Sequence, residues 1–453
     1  MSQSTFSQFM NKDLLKVPIR LFMKAKVNSG VILLVVAAIA MIIANSPFSS
    51  QYHALLSQEV VLRFGNFNLF QAHGHNMNLL EFINDALMTI FFFSVGLEIK
   101  RETLVGELSS LRKALLPVIA ACGGMILPVL LFFLISPSGA AAKGAAIPMA
   151  TDIAFSLGVL SLLGKKVPLS LKIFLTTFAV ADDIGGIIVI GVFYSSGIIL
   201  KYLLWSLLVI GILYIGNRLN IYSKLFYIFF GVIIWYLFLN SGIHPTIAGV
   251  IVAFTVPARP KFDLAQYSED LRACIARLPE KIYGNHMLSN TELSILKHIE
   301  SASDKVISPL QSFEDNLHPL VNYIVMPLFA FANASINFSG FNLDSLQGVT
   351  TTLFLSLVFG KLIGIFSFTW LATKSGLLSM PERMNNQSLF GVALLGGIGF
   401  TVSLFIANLS YANIPEIGAE LLNQAKLGII SGSVFAGICG YSVLKRVLKP
   451  ENT

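Results

Sequence analysis

The run KIFLTTFAVADDIGGIIVIGV, residues 172–192, decides how this chain is read. It is apolar and long enough to cross a bilayer, yet Asp182 and Asp183 stand side by side near its middle. A charged side chain at mid-bilayer costs roughly 2.5–3.5 kcal/mol even on lenient insertion scales, so a pair is retained only where something compensates it. Inside a membrane that something is usually a transported ion or a proton. A lone intramembrane polar group is often a satisfied contact between helices, a reading that weakens when two carboxylates are neighbours.

The rest of the chain fits that placement. It has 453 residues, 55% of them hydrophobic and 12% charged, with a mean hydropathy of +0.75. A soluble domain carries about a quarter charged residues, so an all-α polytopic membrane protein is expected. Cys122, Cys274 and Cys439 lie far apart, which supports neither a disulfide framework nor a zinc site. The net charge of +7 comes from basic residues dispersed between apolar segments, so nucleic acid is not an expected partner.

Apolar runs near the ~20 residues that a spanning helix needs number about twelve. They centre on 28–45, 80–98, 114–135, 144–163, 170–193, 200–217, 223–240, 244–257, 318–336, 350–373, 388–409 and 424–444. The first, behind Lys24 and Lys26, is read as an uncleaved helix rather than a signal peptide. Most of the 31 Lys and Arg residues fall in alternate connections, leaving only Arg63, Lys143, Lys201 and Lys426 on the other side and Lys361 inside a span. By the positive-inside rule both termini are cytoplasmic. The expected organisation is a cytoplasmic segment 1–27, a transmembrane domain 28–447 and a cytoplasmic tail 448–453. The domain carries an extracytoplasmic loop 46–79, with strand-like stretches such as EVVLRF, and a cytoplasmic connection 258–317, with a helix-like stretch at 293–301. That connection is too short and polar for a catalytic domain and reads as regulatory or connecting.

Few ionisable residues lie within the spans: Asp85 after Asn84, Asp152 after Thr151, the Asp182 and Asp183 pair, and Lys361. Two spans also show interruptions. The fourth, GAAIPMATDIAFS (144–156), puts Pro148 and a polar Thr-Asp in mid-helix. The eleventh, GVALLGGIGFTVSLF (391–405), puts Gly396, Gly397 and Gly399 at mid-depth, followed by Thr401 and Ser403. Irregular backbone at that depth is tolerated only where it is buried or lines a cavity. Spans 3–5 and 10–12 are thus three-helix units of opposite orientation, each with a broken middle helix. This pattern of inverted repeats is expected of secondary transporters, with the substrate site where the breaks cross.

The stretches FINDALMTIFFFSVGLEIKRE (82–102), ATDIAFSLG (150–158), AVADDIGGI (179–187), MPLFAFANA (326–334), FGKLIGI (359–365) and GGIGFTVSLFI (396–406) carry a resemblance. In their order and content they resemble the signature segments of the NhaA-type bacterial sodium/proton antiporters, themselves among the transporters from which the inverted-repeat rule was drawn. The resemblance covers residues 15 to 447. It implies that Asp182 and Asp183 bind sodium, the only metal expected, or protons, and that Thr151 and Asp152 sit at the crossing. There Asp152 would offset the positive amino-terminal half-helix ends and Lys361 the negative carboxy-terminal ends. The resemblance also pairs Lys361 with Asp182 and leaves open whether Lys361 itself releases a proton. The resemblance further implies pH-regulatory roles on the cytoplasmic side for Glu98, Glu102, Glu314, His244 and His318, with Asp85 a further candidate. The bland alternative for these is solvated loop or helix-end positions. It also implies sodium, lithium and protons as substrates, no cofactor, the inner membrane as location, and a homodimer joined through a hairpin in 46–79. One departure concerns regulation: where short family members carry basic residues before the position of Glu314, this chain has Gln311 and Ser312.

Charge alone suggests a mechanism. Two carboxylates ~6 Å apart at an effective dielectric of ~20 repel by roughly 2.8 kcal/mol. Sodium and protons then become alternative ways to neutralise one site, and two carboxylates admit more protons than sodium ions per cycle, which makes the exchange electrogenic. An intramembrane aspartyl protease needs its carboxylates on facing helices, whereas adjacent ones diverge by about 100°. A sodium-coupled symporter of an organic solute is the alternative that shares the broken-helix logic. A channel is disfavoured by a site trapped at the midplane.

Overall fold

The computed structural model describes residues 29–448 apart from 66, 73, 138, 196, 262, 278–288, 339–346, 377 and 413. The segment 1–27, the tail beyond residue 448 and part of the connection 258–317 lie outside the described residues.

The chain is built almost wholly of helices. α1 (Ser29–Ala44) and α2 (Ser49–Leu56) meet at 114°. Two short antiparallel hairpins follow, β1 (Arg63–Phe64) with β2 (Phe67–Asn68) and β3 (Gln71–Ala72) with β4 (His75–Asn76). Of the expected strand EVVLRF only its end is extended in a ladder, while Glu59 bridges to Asn78. The buried Asn68 stitches the two hairpins together, its Nδ2 donating to Asn76 Oδ1 at 2.9 Å.

α3 (Leu79–Leu104) starts on a capping box, in which Asn78 accepts from Glu81 N and Glu81 reaches back to Asn78 N. Then come α4 (Leu111–Ile135), a 3₁₀ segment Gly139–Met149, α5 (Ile153–Ser161), α6 (Leu169–Phe193), α7 (Leu200–Arg218), α8 (Lys224–Leu239) and α9 (Thr246–Thr255). The connection 258–317 is helical in most of its described part, with α10 (Leu264–Ile275), α11 (Asn290–Val306) and α12 (Pro309–Leu320). The last two begin on capping boxes at Ser289 and Ser308. α13 (Met326–Asn333), α14 (Val349–Lys374), α15 (Asn386–Gly396), α16 (Phe400–Tyr411) and α17 (Gly418–Val447) complete the chain.

Among the described residues six helices are long and apolar enough to cross a membrane, and three bent pairs raise the number to nine. α8 and α9, at 16 and 10 residues, are shorter apolar helices. Large apolar side chains face outward, Leu134 at 83% and Phe193 at 75% exposure, while Thr151, Ser156, Lys361, Thr401 and Ser403 are fully buried. Polar inside and greasy outside is the arrangement of a protein whose solvent is lipid. Without a hydrophobic drive between helices, close approach comes from small residues. A Cβ on Gly123 of α4 would lie 2.3 Å from the Gly364 carbonyl oxygen of α14, so these two backbones touch.

Candidate functional site

The two interrupted spans bend by 48° and 42° at their breaks and meet there. Pro148 is the last residue but one of the 3₁₀ segment, and Asp152 adopts extended φ/ψ as the N-cap of α5. Opposite, Gly397, Ile398 and Gly399 separate α15 from α16. Each break satisfies the free backbone groups of the other. Asp152 N donates to Ile398 O at 2.7 Å, Thr151 Oγ1 to Gly396 O at 2.9 Å, Ser156 Oγ to Leu395 O at 3.0 Å and Ser403 Oγ to Ile147 O at 2.9 Å.

The Asp152 carboxylate lies between two helix amino termini. Its Oδ1 accepts from Phe155 N at 2.9 Å, and its Oδ2 from Thr401 N at 3.1 Å and Thr401 Oγ1 at 2.5 Å. One negative charge thus serves two positive helix ends. The carboxy-terminal ends draw on different donors. Lys361 Nζ donates to the carbonyl of Met149, the end of the 3₁₀ segment, and to Thr151 Oγ1 at 3.0 Å. The end of α15 takes hydroxyls instead, from Thr151 and Ser156, because those short side chains are already within reach. Lys361 therefore donates directly to one of the two carboxy-terminal ends.

Asp182 and Asp183 sit in the middle of α6, both buried, and point apart as neighbours on a helix must. Lys361 Nζ reaches Asp182 Oδ2 at 2.6 Å, with both side chains wholly buried. Asp182 Oδ1 makes no hydrogen bond among the described residues. Asp183 instead lines a cavity of about 540 Å³ whose walls also carry Thr151, Asp152, Glu98, Glu314 and His318.

At the far end of that cavity Arg101 pairs with Glu102 and Glu314, each at 3.0 Å. Burial raises the Glu314 carboxyl above its ordinary range, and the Arg101 guanidinium pulls it back. His318 shares a hydrogen bond of 3.0 Å with Asn322. His244, expected with this group, lies elsewhere. α3 and α9 run parallel, so Lys100 Nζ meets the carbonyls of Phe254 and Val256 at one end, whereas His244 Nε2 faces Asp85 Oδ1 at 3.6 Å at the other. His244 Nδ1 is held by Thr246 Oγ1 at 2.7 Å.

The structure thus gathers Thr151, Asp152, Asp182, Asp183 and Lys361 at the crossing, sets Glu98, Glu102, Glu314 and His318 toward one end, and leaves Asp85 and His244 as a separate pair. Beyond the residues conspicuous in the sequence, Ser156 joins the crossing and a chain of amides runs from Asn84 through Asn333 to Asn408. Asn333 and Asn408 interrupt apolar runs, which marks each as a polar position but not the bond between them.

A family model described as Na+/H+ antiporter 1 matches residues 20–444. Among similar proteins is one from Bacteroides fragilis named Na(+)/H(+) antiporter NhaA, 58% identical over 428 residues that cover 94% of this chain and 97% of that one. Proteins of the same name from Parabacteroides distasonis and Sulfurimonas denitrificans are 52% and 41% identical, the first covering 96% of this chain and 97% of its own length, the second 96% of each.

Proposed function

The chain belongs to the Na+/H+ antiporter 1 family, and from that premise we propose that it is a secondary active transporter, not an enzyme, which expels sodium or lithium in exchange for protons and so regulates internal pH and sodium. Asp182 and Asp183 take sodium or protons in turn. Thr151, Asp152 and Lys361 hold the crossing in shape, and Asp85, Glu98, Glu102, His244, Glu314 and His318 adjust the response to pH. No cofactor is needed, because the chemistry is exchange of charge at carboxylates.

The observation that carries this reading is the pair itself: Asp183 on the wall of a cavity, beside a buried Asp182 whose Oδ1 makes no hydrogen bond among the described residues. Sodium is a hard cation that prefers oxygen ligands, and carboxylates with a neighbouring hydroxyl at Thr151 offer them. A cation arriving through the cavity meets Asp183 first and competes with the Lys361 ammonium for Asp182. Protons neutralise the same groups. If only a neutralised site can change the side it faces, sodium and protons must alternate, and two carboxylates allow an excess of protons and hence electrogenic exchange. The names of the relatives favour exchange over sodium-coupled symport.

We read the fold as twelve spans with inverted repeats in spans 3–5 and 10–12, in a bacterial inner membrane, with both termini cytoplasmic. Support comes from Arg218 over the Tyr214 ring, Lys374 over Trp370 and Lys445 over Tyr441, at the carboxy-terminal ends of α7, α14 and α17. Basic and aromatic side chains gather at a membrane interface in this way. The hairpins β1–β4 are read as the contact with a second copy.

The test is proton flux in proteoliposomes on adding sodium, lithium or potassium across a pH series, for the native protein and for Asp182→Asn and Asp183→Asn. Sodium and lithium should each evoke flux in the native protein, and both variants should lose it while remaining folded and inserted. Normal exchange in either variant removes the assignment of the pair.

A further inference from the structure

Three asparagines that the exchange reading leaves unused form a chain through the fold. Asn333 Nδ2 donates to Asn84 Oδ1 at 2.8 Å, and Asn408 Nδ2 donates to Asn333 Oδ1 at 2.9 Å. The chain ties α3, α13 and α16 together, and Asn333 and Asn408 are buried. Each of those two also braces its own helix, Asn333 on Phe329 O at 3.1 Å and Asn408 on Leu404 O at 2.9 Å. Buried amides need partners, and these find them largely in one another.

Their position relative to the cavity is regular. The cavity wall includes Phe91 of α3, Met326 of α13 and Val402 of α16. One turn farther from the Glu98 end, the same helices bring the buried Met88, Phe329 and Phe405. The Phe405 ring has Phe92, His244 and Phe329 around it at centroid distances of 5.5, 5.4 and 6.3 Å. One turn beyond that come Asn84, Asn333 and Asn408. The cavity that reaches Asp183 is therefore capped by an apolar layer and then by an amide layer. Thr401, Phe405 and Asn408 follow one another at spacings of four and three and so share a face of α16. Thr401 holds Asp152, so this half-helix touches the crossing at one end and both layers along the next ~10 Å.

We propose that the two layers are the outer gate of the exchange site, with Asn84, Asn333 and Asn408 as its positioning residues and α16 as the element that couples it to Asp152. The inference rests on the exchange reading, since a gate has meaning only where access alternates. When the apolar layer parts, each amide exchanges a protein partner for water, and three carbonyl oxygens face a passing hard cation. An apolar closure alone would offer the cation nothing on that path.

The test uses the full chain with Cys122, Cys274 and Cys439 replaced by serine and carrying Asn333→Cys, in right-side-out vesicles exposed to a membrane-impermeant methanethiosulfonate. Modification should run at least about tenfold faster during sodium-driven turnover than at rest, because a gate closed at rest leaves the open state a minor population. Equal rates in the two conditions, fast or slow, overturn the gate where the Asn333→Cys protein itself exchanges sodium for protons; where it does not, the same comparison is made at Asn84→Cys or Asn408→Cys. A parent without sodium-evoked proton flux overturns the exchange reading, and the gate with it. In a second measurement Asn333→Cys and Asn408→Cys are joined by a short bis-methanethiosulfonate. Bridging should cut flux at least about tenfold from the value of the same protein before treatment, with recovery on reduction, as expected when one of two interconverting states is locked. Undiminished flux in the bridged protein overturns the proposal, and if the double variant is inactive before bridging, the labelling rates decide it.

Discussion

Replacing Lys361 by methionine keeps much of its volume and removes its charge, which leaves the Asp182 carboxylate without the ammonium now 2.6 Å away. Both side chains are wholly buried, so solvent cannot compensate. At alkaline pH, where the surviving carboxylate cannot escape by taking a proton, breaking such a pair from one side costs about 3–5 kcal/mol. The Met149 carbonyl loses its ammonium donor as well, a further ~1–3 kcal/mol for a buried acceptor left unmade. Removing both charges, with Asp182→Asn added, abolishes the first cost and keeps only the second. The double variant should therefore be more stable than Lys361→Met by at least about 2 kcal/mol, a coupling well above that of independent sites. Equilibrium unfolding in mixed micelles, run on the four proteins of the cycle, measures it. A double variant no more stable than the single, or a single that loses under about 1 kcal/mol, refutes a tight charge pair at this position.

Three more outcomes follow from the same geometry. Asp152→Ala strips a cap from α5 and from α16 together, and should cost about 2–4 kcal/mol in the same unfolding assay, against ~1 for a single cap; a loss of one cap's size would mean that only one helix end depends on it. Gly364→Val must push α14 off the Gly123 carbonyl, 2.1 Å from the first added carbon, and should lower stability by ~1–3 kcal/mol and reduce exchange, whereas Gly211→Ala, with open space around it, should be neutral or slightly stabilising. Arg101→Gln removes the charge that holds the Glu314 carboxyl down against burial, so Glu314 should keep its proton to higher pH and any step that needs it ionised should move in the alkaline direction; an acid shift in the pH profile of proton flux contradicts the pairing.

Much of this was legible because membrane burial makes ionisable residues conspicuous. Asp182, Asp183, Asp152 and Lys361 stand out in apolar runs, and Pro148 and the glycines at 396–399 mark where helix fails. Their meeting at one place is what the expected opposition of the two broken units implies. Other features left no such mark. Asn333 and Asn408 are uncharged and 75 residues apart, and nothing in either run says that they bond. The place of His244 beside Asp85 follows from the parallel course of α3 and α9, which chain order alone does not state. That Lys361 donates to one carboxy-terminal helix end and hydroxyls to the other depends on side-chain reach across the crossing. The helices α10–α12 were only partly visible, since amphipathic helices in a polar connection resemble loop by composition.

The mutual satisfaction of the two breaks has a consequence for inheritance. Thr151, Ser156 and Asp152 N close carbonyls that belong to residues 395–398, while Ser403 closes one at Ile147. Neither segment can drift by itself without leaving a buried group of the other unmet. A crossover between diverged genes within the region encoding 258–317 would separate the two segments, and the hybrids that survive should be those in which both parents carry matching hydroxyls. The crossing should therefore be exchanged only as one unit drawn from two distant stretches of the gene.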